Sequence, residues 1–312
     1  MRRTRRQSVT RAAGHQEMPR RFLAEARGFT VMELLLAASV SLIVLFAVYS
    51  TLESTRGTYD AGESRADIQQ QARVAIERMA RELRLVGYGF PSGGDCNADT
   101  VADNAVLAAT PTSVTFCADI TNASTTLVND VAVGGTQVFV QDASGMQAGG
   151  KGKGKGKGVK PSDEIFLMAG GTWEQATVTN VDAGLNRLNI DIGGGGVANA
   201  YSRGIPVGRP KPITYCWNDS NGLPGSPNCG SDVTTLYQDE GEGGGFQLIA
   251  DSIQTFQLRY FDDTDTEILP ADLAANLANI RRIRITMTLQ SAAGWLGSQT
   301  FTVTSNARLR NL

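Results

Sequence analysis

Histidine is almost missing from this chain: there is one, His15, and it precedes the first long apolar run. A serine–histidine–acid triad, a cysteine–histidine pair and a histidine-based metal site are therefore excluded from everything beyond residue 15. Cysteine is sparse too. Cys96, Cys117, Cys216 and Cys229 include no Cys-x-x-Cys spacing, which argues against zinc. A phosphate-binding loop is also lacking. The Gly193–Gly196 run is followed by Val197 and Ala198, where such a loop needs Lys and Ser or Thr. These gaps rank catalysis behind structural and binding roles. No catalytic residue and no cofactor is assigned.

Hydrophobicity and charge are concentrated at one end. Residues 1–28 hold eight arginines against Glu17 and Glu25, a formal charge of +6 in a chain of −2. Phe29 to Tyr49 then follows as 21 residues with a single charge, Glu33. A membrane-spanning helix needs about 20 apolar residues. Flanking arginine holds its own side in the cytoplasm, which places the C-terminal bulk outside. An ordinary secretory signal would want a small-x-small cleavage site after a shorter apolar core, and Ala47-Val48-Tyr49 is a poor one. Glu33 fits neither a plain anchor nor such a signal. A charge deep in hydrocarbon costs about 3 kcal/mol and is normally functional. A cut between Gly28 and Phe29 would free an amine at the i, i+4 spacing from Glu33.

Gly28-Phe29-Thr30-Val31-Met32-Glu33 and the apolar run behind it resemble the class III signal of type IV prepilins and type II secretion pseudopilins. The resemblance implies removal of residues 1–28 by a prepilin peptidase and methylation of the Phe29 amine. It also implies that Glu33 guides the subunit into a helical filament. The leader is long for that family. Met18 offers a second, more typical start, and both starts remain open.

Helical periodicity continues past the apolar run. Ile68, Ala72, Ala75, Ile76, Met79, Leu83 and Val86 recur at three- and four-residue steps, with Gln70, Arg73, Glu77, Arg81 and Arg84 opposite. This predicts an amphipathic helix over 50–86 that lies on a sheet and ends at Gly87-Tyr88-Gly89. Gly57 and Gly62 weaken its middle, where many pilins are extended or bent. Residues 87–312 turn to short runs of period two: 114–116, 138–140, 165–168, 176–178, 188–192, 213–215, 256–260, 283–289 and 301–303. These read as half-buried antiparallel strands, with a short helix near 270–279. The fold class is α+β: a long N-terminal hydrophobic and amphipathic helix packed on a β-rich head.

Within that class, Gln69-Gln-Gln-Ala-Arg73, Arg81-Glu-Leu-Arg-Leu-Val-Gly-Tyr88, Leu248 to Tyr260, Arg281-Arg-Ile-Arg-Ile285 and Ala307 to Leu312 resemble PilW-type minor pilins, in that order. The J-type pseudopilins share the architecture and remain the alternative. The stretch from about 129 to 161 departs from both patterns. The resemblance implies other minor pilins, the major pilin, the prepilin peptidase and an inner-membrane assembly platform as partners. It places the subunit in the inner membrane through one helix, and later in a surface filament.

Four cysteines allow three pairings; the nearest-neighbour one joins Cys96 to Cys117 and Cys216 to Cys229. Lys151 to Gly158 alternates lysine with glycine and, with Lys160, holds most of the chain's lysines. With no aromatic for base stacking, the segment near 149–161 reads as a flexible loop and not a nucleic-acid site. A filament-displayed adhesin or DNA-binding module is nonetheless the alternative of a different class. Asp263, Asp265 and Glu267 alternate oxygens as a calcium loop does, but lack its glycine and length. A polar hairpin is the preferred reading there, with calcium the lesser one.

Overall fold

The computed structural model describes residues 29–97, 101–121, 123–144, 146, 164–218, 229, 232, 234–242, 244–291 and 297–311. The leader, Gly28 and the lysine–glycine stretch at 149–161 lie outside the described residues. The chain divides into two compact units, one ending at Arg56 and one beginning at Gly57.

A single helix, α1 (Val31–Leu83), accounts for all 53 of its residues without a break. It therefore runs through Gly57 and Gly62, where the sequence predicts weakening. Glycine in a helix interior costs only about 1 kcal/mol relative to alanine. The flanking Ala61, Glu63, Arg65 and Ala66 include good helix formers and there is no proline. The turns at 84–89 end the helix, and Gly87 and Gly89 take the positive φ values of 79° and 74° that a glycine adopts without strain.

The described strands form three antiparallel sheets. The first has the order β1 (Val106–Ala109), β2 (Ser113–Ala118), β9 (Lys211–Trp217), β10 (Leu236–Asp239), β11 (Gln247–Ala250). The second has β13 (Glu267–Ile268), β12 (Ile253–Phe261), β14 (Arg282–Gln290), β15 (Thr300–Arg308). The third has β3 (Thr125–Thr126), β8 (Pro206–Gly208), β5 (Glu164–Ala169), β6 (Thr172–Asp182), β7 (Arg187–Asp191), β4 (Gln137–Phe139). Each period-two run read from the sequence coincides with one of these strands. The 270–279 helix reduces to two short 3₁₀ turns, Pro270–Asp272 and Leu277–Asn279.

Two cores result. Ala72, Ala75, Ile76, Met79, Ala80 and Leu83 of α1 are buried against the first two sheets, among Phe116, Tyr215, Ile283 and Met287. Full burial of a side chain the size of Met79 or Leu83 contributes about 2 kcal/mol. The third sheet encloses its own core of Leu127, Val138, Ile165, Leu167, Val178, Leu188 and Tyr201. Val131, Val138, Val140, Ala143 and Met146 thus feed a second hydrophobic centre. Phe90, Cys96, Cys117 and Phe166 form a small cluster joining a β2 residue to a β5 residue. Gly89 and Gly208 approach so closely that a methyl on Gly208 would overlap the Gly89 carbonyl.

The two disulfides are Cys96–Cys117 and Cys216–Cys229, with Cα separations of 6.2 and 5.9 Å. Of the three pairings open to the sequence, the nearest-neighbour one is formed. The sequence separations of 21 and 13 residues correspond to about 3 kcal/mol each on a chain-entropy account.

Candidate functional site

The start of α1 is capped. Thr30 Oγ1 accepts from the Glu33 backbone N–H at 3.3 Å, and the Thr30 carbonyl accepts from Glu33 and Leu34 at 3.0 and 3.2 Å. Thr-x-x-Glu is the pattern of a capping box, and an acid in the first turn complements the helix dipole. α1 begins at Val31, so Phe29 lies just ahead of the Thr30 cap. Glu33 has no ion pair among the described residues.

The next turns have the surface of a buried element without being buried. Phe29, Val31, Met32, Leu34, Leu42, Leu45 and Phe46 are all more than 60 % exposed. Glu33 is the only charged residue from Phe29 to Leu52. Three of its hydroxyls are satisfied within the helix: Ser39 Oγ donates to the Leu36 carbonyl at 2.8 Å, and Ser50 and Thr51 both donate to the Ala47 carbonyl, at 2.9 and 2.8 Å. A helix that satisfies its own polar groups and exposes an apolar surface all round suits hydrocarbon. It is long and apolar enough to cross a membrane.

The later turns of α1 are tied to the head by a largely covered carboxylate that the sequence reading misses. Glu82 is 12 % exposed at its side chain. It accepts from Tyr215 Oη at 2.6 Å, Gln238 Nε2 at 2.7 Å and Arg78 Nε at 3.0 Å. Arg78 also reaches Glu240 at 2.6 Å. Burial first, and then the Glu82 carboxylate, push the Tyr215 phenol far above its ordinary range. The one local signal is the Arg78–Glu82 i, i+4 pair; its partners on β9 and β10 are remote in sequence.

Asp263 and Asp265 lie in the connection from β12 to β13, and Glu267 opens β13. Asp262 Oδ1 accepts from the Thr264 and Thr266 backbone N–H groups, both at 2.9 Å, closing a tight turn. Asp265 pairs with Arg282 at 2.9 Å and Glu267 Oε1 with Arg259 Nε at 2.6 Å. The hydrogen bond from Arg259 holds the Glu267 carboxyl below its ordinary value. Two of the three candidate oxygen ligands are thus engaged by arginines. No group of three His, Cys, Asp or Glu side chains suited to a metal occurs among the described residues. Elsewhere, Asp95, Glu164 and Asp191 line an open cleft with Trp173 and Gln175, and burial raises the Glu164 carboxyl. Comparison of the chain with protein-family models, with curated proteins and with solved structures finds no match.

Proposed function

We propose that this chain is a minor pilin of the PilW type, a structural subunit that takes part in priming and assembling a type IV pilus. The observation that carries the proposal is the sequence Gly28-Phe29-Thr30-Val31-Met32-Glu33 at the head of exposed apolar turns whose only charge, from Phe29 to Leu52, is that glutamate. A prepilin peptidase removes residues 1–28 on the cytoplasmic side, and the new Phe29 amine is methylated. The apolar turns of α1 hold the subunit in the inner membrane with the head outside, until it is extracted into the filament.

Glu33 has a specific part in that transfer. Its carboxylate is costly in hydrocarbon, and a neighbouring cationic N-terminus offsets the cost once helices bundle. The mechanism is assembly, through contacts with other minor pilins, the major pilin and the inner-membrane platform. No catalytic step is part of it.

Expressing the chain in cells with and without their prepilin peptidase tests the reading. The account expects the chain to lose its leader only when the peptidase is present, and part of the processed chain to appear in filaments sheared from the surface. Processed chain confined to the membrane of cells that carry a type II secretion system would replace this reading by the J-type pseudopilin.

A further inference from the structure

Among the described residues, the second sheet ends in β15, whose outer edge pairs with no other strand. We infer that the free edge of β15 is a docking site for an extended segment of a different polypeptide, which adds to the sheet as a further antiparallel strand.

The register shows which groups are on offer. β14 and β15 pair without a shift from Arg282 opposite Arg308 to Gln290 opposite Thr300. Just beyond the strands, Leu309 N–H donates to the Arg281 carbonyl at 2.9 Å and Ser291 N–H to the Gln299 carbonyl at 2.8 Å. In an antiparallel ladder the hydrogen-bonded pairs alternate. The odd-numbered residues of β15 therefore direct N–H and C=O to β14. Thr300, Thr302, Thr304, Asn306 and Arg308 direct theirs away from the sheet. The backbone groups of these five residues have no partner among the described residues.

Natural sheets usually blunt such an edge with proline, lysine, a bulge or a very short strand. β15 has nine residues, no proline, no lysine and no bulge. Its β-branched residues suit pairing. Its inward side is also incompletely covered: Phe301 and Val303 pack on the main core but are only half-buried. A further strand with apolar residues on that side would cover them.

Charge narrows the occupant. Arg259 and Arg282 are matched by Glu267 and Asp265. Arg308 is exposed and has no carboxylate partner among the described residues, whereas Arg284, beside Asn306 and the Phe261 ring, lies within electrostatic reach of Glu267. The docked segment thus carries an acidic residue across from Arg308. A second copy of this chain fits less well. Parallel pairing of two β15 strands would bring Arg308 beside Arg308, and like charges across a ladder repel. Antiparallel pairing of two β15 strands would place no carboxylate across from Arg308 either, because β15 has no acidic residue.

The test uses the full chain in a non-ionic detergent and a fluorescent nine-residue peptide of alternating valine and threonine with one glutamate across from Arg308. Saturable binding by fluorescence anisotropy is expected. Thr304→Pro removes one outward N–H and no backbone bond to β14, losing besides only an exposed hydroxyl contact with Thr286, and should weaken binding at least fivefold; Thr302→Pro does the same at an independent position, losing its hydroxyl contact with Thr288. Arg308→Glu should weaken it at least threefold, and a peptide with lysine in place of the glutamate should restore it. Unchanged thermal unfolding of each variant keeps the comparison valid. No saturable binding up to millimolar peptide, or binding indifferent to both proline variants, overturns the inference. So does a dimer of the full chain, seen by sedimentation, that Thr304→Pro dissolves.

Discussion

Replacing Glu82 by alanine removes the acceptor that three donors share, and the cost can be worked out from their exposure. Tyr215 is 0 % and Gln238 1 % exposed, so neither has water to turn to. A buried donor left without a partner costs about 1–3 kcal/mol. Arg78, with 41 % of its side chain exposed and Glu240 still beside it, adds little. Glu82→Ala should therefore destabilise the head by about 3–4 kcal/mol, counting two orphaned donors at mid-range. Glu82→Gln keeps the shape and one acceptor oxygen, and should cost about half as much. Tyr215→Phe removes one of the orphans, so Glu82→Ala with Tyr215→Phe should fall short of the sum of the single changes by about 1–2 kcal/mol. Urea unfolding of the oxidised full chain in detergent, followed by near-ultraviolet circular dichroism, measures the four variants against the unchanged chain. A cost below about 1 kcal/mol for Glu82→Ala, or strict additivity with Tyr215→Phe, would refute the claim that this carboxylate pins the helix to the sheet.

Three further outcomes are expected. Gly208→Ala would drive a methyl into the Gly89 carbonyl and should destabilise the chain by about 1–3 kcal/mol in the same unfolding assay, whereas Gly204→Ser, with open space around it, carries only the smaller penalty of its positive φ. Burial raises the Tyr215 and Tyr260 phenols well above their ordinary value, and raises the Tyr201 phenol to about 12. The folded state therefore holds three protons that the unfolded chain releases near pH 10, so stability should be flat below about pH 9. Above about pH 10 it should fall by about 4 kcal/mol per pH unit, read from unfolding midpoints between pH 8 and 11.5. Glu33→Ala should leave cleavage after Gly28 intact but lower the amount of the chain in sheared filaments at least fivefold by immunoblot; normal incorporation would remove the part proposed for Glu33.

What the sequence discloses depends on whether a feature is periodic. The alternation of Ile283, Ile285, Met287 and Leu289 with Arg284, Thr286 and Thr288 marks β14 and its buried face, and the structure buries those four residues. The α1 stripe from Ala72 to Leu83 is legible for the same reason. Two-residue strands such as β3 and β13 carry no period at all. Periodicity also says which face of a strand is buried but not which core receives it. The runs at 138–140, 165–168, 176–178 and 188–192 can therefore be read singly, while their segregation into a third sheet with its own core cannot. Glu82 looks like one more acid at the border of an amphipathic helix; what buries it is Tyr215, 133 residues away, and Gln238, 156 away. The disulfide pairing needs the fold to choose among three. At the N-terminus the motif is legible from Gly28 to Glu33. The cap is a different matter, because Thr30 serves both a helix-capping pattern and the signal, and the structure places Phe29 ahead of the helix.

The N-terminal residue of the chain recovered from filaments bears most directly on the central claim. Surface filaments would be sheared from cells, and this chain's N-terminal peptide sequenced by mass spectrometry. The account predicts a peptide beginning at Phe29 with a methylated amine. A chain in the filament fraction that still carries residues before Phe29, or one that begins beyond Tyr49, would contradict it.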